Sequence, residues 1–211
     1  MHNKVYVLGY RDKCPDGYSI INTTSKSPNW SRGLSPFFVG ENIPLYGNFR
    51  AKNVENAWQF SKLYSCHADV NGNPTKEYYN WAMKGWSDNF AHRYPMGKGA
   101  IPLCAIWGNK KLSYIDSRRY IYIPIYAREV IKTDAFKILK ELYESGKKIA
   151  LLDFDGYNYW DSGYSMKDVV NNPNKKMGHA FVLAMLLEGI IYFENNKLRY
   201  NNTLGELKKN M

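Results

Sequence analysis

Apolar and polar positions along the chain follow two periods, and the switches between them outline its elements. Val5–Leu8 and Tyr18–Ile21 are short apolar runs on either side of Pro15-Asp16-Gly17, and they predict two strands near the N-terminus. Residues 22–50 keep no period. Asn, Ser, Pro and Gly dominate there, with Trp30, Phe37, Phe38 and Phe49 interspersed, which suits an irregular segment lining a site. A helical period then begins. Asn53 is a good N-cap, Glu55 in the first turn complements the helix dipole, and the helix is expected to run through about Ser65. Thr75 caps a second expected helix through about Phe90, carrying Trp81 and Trp86. Ile101–Trp107 and Tyr120–Tyr126 have strand character, although Pro124 keeps the latter out of a sheet centre.

The second half is more regular. Thr133–Ser145 reads as a helix with Ala135, Ile138, Leu139 and Leu142 on one face and Gly146 as its stop. Ile149–Asp153 reads as a buried strand, followed by the turn-rich Asp155–Gly163 and a strongly apolar core helix over Met177–Leu187. From Tyr192 the tail predicts a hairpin or cap turning at Asn195-Asn196. The sum is an α+β, predominantly helical single domain with a small sheet. Residues 1–30 supply N-terminal strands and 192–211 a C-terminal cap. No repeat or low-complexity segment interrupts it.

Composition changes this picture in two ways. The 211 residues are 45% hydrophobic and 16% aromatic, enough for one packed core and unlike a disordered chain. Lys and Arg total 29 against 19 acidic residues, and the resulting +10 favours a polyanionic partner, nucleic acid or a phosphate-bearing ligand. The apolar run near Phe181–Ile191 is too short for a bilayer, and Met1-His2-Asn3-Lys4-Val5 lacks the apolar core of an export signal. Three widely spaced cysteines, Cys14, Cys66 and Cys104, fit a reducing cytoplasm better than a disulfide framework.

Candidate chemistry centres on Glu55, Gln59 and Lys62. At i, i+4 and i+7 a carboxylate, an amide and an amine fall on one helical stripe with Trp58 beside them, while Ala57, Phe60 and Tyr64 pack the other side. Such a stripe holds an acid–base pair against a ligand, or is an ordinary solvated face. Ile149–Gly156 offers a second constellation, an apolar strand running into Asp153-x-Asp155-Gly156. Three readings stay open for it: a magnesium-binding pair, a pocket rim that touches a sugar or polarises water, or a carboxylate capping the glycine turn. Arg93 is a candidate phosphate contact, and His179 is a helix-start histidine that either caps and packs or meets a phosphate. Lys110-Lys111 and Arg118-Arg119 would flank a hairpin as solvated or nucleic-acid-facing charges. Cys66-His67 has no second ligand pair at zinc spacing, so no metal and no cofactor are expected.

Leu34-Ser35-Pro36-Phe37, the Glu55-x-x-Trp58-Gln59-x-x-Lys62 helix, Tyr159-Trp160 and Met177-Gly178 together resemble the NADAR (YbiA-like) family. Pro36 stands where the family has Asn, Asn56 where it has His and Trp58 where it has Phe, which marks a divergent member. The resemblance implies a NADAR-like fold and N-glycosidic chemistry on an ADP-ribosyl or related nucleoside substrate, foremost the removal of ADP-ribose from guanine in nucleic acid. It implies catalytic roles for Glu55 and Lys62, and the separate Asp153/Asp155 constellation would complete the acidic side of the site. It also implies substrate contacts from Ser35, Phe37, Trp58, Gln59, Trp160 and Gly178, which Trp86, Arg93 and His179 join as candidates on their own residue chemistry. Glu55 would stabilise positive charge on the ribose or activate water, and Lys62 would contact the diphosphate or attack a ring-opened C1. Trp58, Trp86 or Trp160 would stack on a base. A base-specific DNA glycosylase or nucleoside-modifying enzyme on the same scaffold, and a non-catalytic ADP-ribose or nucleotide reader, are the competing expectations.

Overall fold

The computed structural model describes residues 4–201. They form an α+β structure of short helices and several small sheets. The chain divides into two compact units, one of Met1–Ser35 with Tyr126–Met211 and one of Pro36–Ile125.

In the first unit the N-terminal strands form as the sequence predicts, β1 at Tyr6–Leu8 and β2 at Ser19–Asn22. They do not pair with each other. The fully apolar Ile149–Leu152 strand inserts between them and pairs in parallel with both, Val7 and Ile21 each standing opposite Leu151. A strand buried on both faces reads as a continuous apolar run, which is why Ile149-Ala150-Leu151-Leu152 takes the centre. The helix His179–Leu187 packs on this sheet, with every residue from His179 to Met185 buried. Gly156 is demanded by a close backbone crossing, since a Cβ there would meet the Leu8 carbonyl oxygen at 2.3 Å.

The helix Asp134–Glu144 starts at Thr133, whose hydroxyl accepts from the Phe136 N–H. Its buried face is Ala135, Phe136, Leu139 and Tyr143, so Ile138 of the expected face is instead 36% exposed. Met166–Asn171 is a further helix, started by a Ser165/Asp168 capping box. The tail is the expected hairpin, Ile191–Glu194 against Lys197–Tyr200, and both turn residues carry the positive φ such a tight turn needs, 50° at Asn195 and 59° at Asn196. The part of the expected cap beyond residue 201 lies outside the described residues.

In the second unit, Val54–Gln59 forms helix α1, and Lys76–Ser87 forms α2 with Thr75 as its cap. A three-stranded antiparallel sheet joins Lys62–Leu63, Cys104–Trp107 and Lys110–Leu112. Tyr120–Tyr126 is helical and not a strand. Tyr114–Ser117 starts a helix, Arg118–Tyr122 widens to π geometry, and Ile123–Val130 returns to α. The wider turn precedes Pro124, whose ring would clash with the carbonyl four residues back in a regular α-helix. The sequence does carry a signal for this helix: Ser113 and Asp116 form a cap, the Ser113 hydroxyl accepting from the Asp116 N–H at 3.1 Å.

Candidate functional site

Helix α1 begins where three acceptors meet its first N–H groups. Val54 N–H donates to the Val39 carbonyl and Glu55 N–H to the Pro36 carbonyl, while Asn56 N–H donates to the Asn53 side chain at 2.8 Å. Pro36 and Phe37 are thereby tied to the turn that carries Glu55. Asn56 is fully buried and works as a bracket: its amide donates to the carbonyls of Asp88 and Phe90 and its oxygen accepts the His92 N–H. Asn56→Ala would strand three backbone groups and is expected to destabilise the protein by roughly 2 kcal/mol, read from urea unfolding.

The helix ends earlier than its sequence predicts. Phe60 is its C-cap, and the Ser61 hydroxyl donates to the Trp58 carbonyl at 2.8 Å, closing the helix end. Lys62 therefore leaves from a strand, paired opposite Ala105, and not from a third helical turn. The three side chains nevertheless meet. Gln59 Nε2 donates to Glu55 Oε1 at 2.9 Å, and Lys62 Nζ donates to Gln59 Oε1 at 2.6 Å. The amide orientation follows from its neighbours, since only one face can donate to a carboxylate and only the other can accept from an ammonium. Glu55 and Gln59 are buried, at 7% and 9% exposure, which excludes the solvated-face reading of the stripe.

Trp58 is half-buried beside this chain, with Lys62 Nζ 4.8 Å from its ring centroid. Its other neighbour is Tyr122, 5.1 Å between centroids, on the π-helical turn that packs against α1. The same turn holds Arg118, 1% exposed, with its guanidinium 4.2 Å from the Tyr114 centroid and Nη2 donating to the Tyr114 hydroxyl at 2.8 Å. Arg118 is thus a buried cation beside α1, not a surface charge flanking a hairpin. The i, i+4, i+8 spacing of Tyr114, Arg118 and Tyr122 is the sequence signal that identifies it. Trp86 is 1% exposed among Tyr46 and Phe49, so it belongs to the core and presents no face for stacking. Arg93 lies with its guanidinium 5.4 Å from the Tyr94 centroid.

The remaining candidates belong to the first unit. Ser35 is buried and closes a 3-10 turn, its N–H donating to the Arg32 carbonyl. Asp153 follows the central strand and is 3% exposed. Its Oδ2 accepts from His179 Nδ1 at 3.0 Å and from the Ala180 N–H at 3.0 Å, and its Oδ1 accepts from the Asp155 N–H at 3.3 Å. His179 Nε2 faces the Thr23 carbonyl at 2.8 Å. With an acceptor at each nitrogen, both carry protons and the ring is an imidazolium. Burial alone would raise Asp153, but the charge and hydrogen bond of His179 and the two backbone N–H groups outweigh it and hold the carboxyl below its ordinary range.

Gly178 has no alternative here, because a Cβ would stand 2.1 Å from Asp153 Oδ2. Asp155 turns away from strand alternation, since the chain bends back through the Gly156 N–H to Asp153 carbonyl bond. Asp155 thus does not continue the strand, and Asp153 is a buried brace whose carboxylate meets His179 Nδ1 and the Ala180 and Asp155 N–H groups. Trp160 is half-buried with its ring 4.4 Å from that of Tyr6. Among the described residues, no group of three or more His, Cys, Asp or Glu forms a set that could hold a metal ion. No helix among them is long and apolar enough to cross a membrane.

A family model described as a family of unknown function, DUF6939, matches residues 7–183. The chain belongs to that family. Residues 7–183 include α1, α2 and the Asp153–His179 brace, so the DUF6939 match covers both clusters described above. No curated protein and no solved structure matches the chain.

Proposed function

We propose that this DUF6939 protein is a NADAR-like enzyme that hydrolyses an N-glycosidic bond in an ADP-ribosyl or related nucleoside substrate, with ADP-ribose on a guanine base of nucleic acid as the leading substrate. One observation carries the reading: the hydrogen-bonded chain from the buried Glu55 carboxylate through Gln59 to the Lys62 ammonium, beside the Trp58 ring. It brings together the residues of the Glu55-x-x-Trp58-Gln59-x-x-Lys62 motif, one of those on which the family resemblance rests, even though Lys62 comes from a strand.

Cleavage breaks the bond between ribose C1 and the base nitrogen. The electron pair leaves with the base, and positive charge builds on the ribose ring. Glu55 stabilises that charge and takes a proton from the water that adds to C1. Gln59 fixes the carboxylate in place. Lys62 keeps a positive charge within reach of a diphosphate, and Trp58 offers a planar face to a base. No step draws on a cofactor. Three free cysteines suit the cytoplasm as the place of action.

The test is an oligonucleotide ADP-ribosylated at guanine, incubated with the full chain and resolved chromatographically. Release of ADP-ribose by the wild type, reduced on the order of 100-fold in Lys62→Ala, is the expected result. Intact substrate bound tightly by the wild type would replace hydrolysis with a reader function.

A further inference from the structure

We propose that the loop 89–103, in the unit that carries Glu55, is a binding platform for single-stranded nucleic acid. This deepens the N-glycosidase reading, and rests on it only for the idea that the strand carries the reacting base.

The loop connects α2 to the strand Cys104–Trp107 without regular structure of its own. Four large apolar side chains stand out from it: Phe90 is 80% exposed, Ile101 85%, Leu103 57% and Tyr94 42%. Such a concentration in so short a segment leaves apolar surface in water unless a partner covers it. The loop is nonetheless built. Asn56 of α1 brackets its first residues through Asp88, Phe90 and His92, and the His92 ring meets Asp88 Oδ2 at 2.8 Å and Phe60 edge-on at 5.8 Å. Two consecutive turns follow, Gly97 N–H to the Tyr94 carbonyl at 3.0 Å and Ala100 N–H to the Gly97 carbonyl at 3.3 Å. Phe90 and Tyr94 are therefore presented by an anchored backbone.

Charge decides the partner. Between Asp88 and Asp116 the chain has no acidic residue, while Arg93, Lys98, Lys110 and Lys111 fall inside that interval. Lys98, Lys110 and Lys111 are exposed. A partner that is both polyanionic and rich in planar apolar faces is nucleic acid with its bases unpaired. A duplex presents the same phosphates but hides the base faces on which Phe90 and Tyr94 would stack.

The experiment is fluorescence anisotropy of the full chain with a labelled single-stranded DNA of about twelve nucleotides, unmodified, against the same sequence as a duplex, over a salt series. The single strand should bind more tightly than the duplex. Phe90→Ala should weaken it about tenfold without changing thermal unfolding, because the side chain is exposed. Arg93→Gln should lower the salt slope by about 0.7, the loss of one phosphate contact. Failed turnover of the ADP-ribosylated strand by the wild type, with binding of the unmodified strand intact, sinks the catalytic reading and leaves this one standing. Unchanged binding in Phe90→Ala, or a duplex bound as tightly as the single strand, would overturn the platform. So would sedimentation showing a homodimer that Phe90→Ala dissociates, which would give the surface to a second copy of the chain.

Discussion

Asp153→Ala is expected to cost the folded protein about 3–5 kcal/mol, the typical penalty for removing one partner of a buried ion pair. The His179 imidazolium would keep its contact to the Thr23 carbonyl but lose its counter-charge, and the Ala180 and Asp155 N–H groups would lose their acceptor. Urea unfolding monitored by tryptophan fluorescence measures the loss. Asp153→Asn, which keeps the shape and one acceptor, should lose less. The acid dependence has a definite sign. A carboxyl held below its unfolded value stabilises the fold at higher pH, and that contribution disappears as pH falls through the folded value. For Asp153 it is intact at neutral pH and is lost below the ordinary value of 3.8, so the gap between wild type and Asp153→Ala should close in strong acid.

Glu55→Gln is expected to lower turnover of the ADP-ribosylated oligonucleotide by about 1,000-fold while leaving the melting temperature within a few degrees. The replacement is isosteric and still accepts from Gln59 Nε2, so the hydrogen-bonded chain of Glu55, Gln59 and Lys62 survives in shape. What it removes, in the mechanism proposed, is the negative charge that would face the ribose and the base that would activate water. Steady-state rates at neutral pH read the difference. A loss confined to KM would instead mark Glu55 as a binding contact.

Much of the fold is legible in the sequence because burial and capping act locally. The Asn53, Thr75 and Thr133 caps each start a helix where their side chains allow, and the apolar Ile149–Leu152 run becomes the strand buried on both sides. What escapes is what distant residues decide. Nothing between Gln59 and Leu63 forbids another helical turn; pairing with Cys104 and Ala105 draws Lys62 into a strand. Tyr120–Tyr126 has β-favouring residues, yet the Ser113 cap and a π-helical turn before Pro124 make it helix. The Glu55–Gln59–Lys62 cluster was legible as spacing on a helix and is realised by different geometry. The burial of Arg118 is signalled only by its spacing from Tyr114 and Tyr122 on a helix that the β-favouring residues disguise. The bracing role of Asp153 is not visible as a residue type, because a surface carboxylate and a buried one are written alike.

The most direct measurement is a paired one on a single substrate, the oligonucleotide carrying ADP-ribose on guanine. Under single-turnover conditions the release rate and the dissociation constant are determined for wild type and for Glu55→Gln. The predicted result is equal affinity with the rate lowered about 1,000-fold. Equal rates in the two proteins, or no release by the wild type, would contradict an N-glycosidase that works through Glu55.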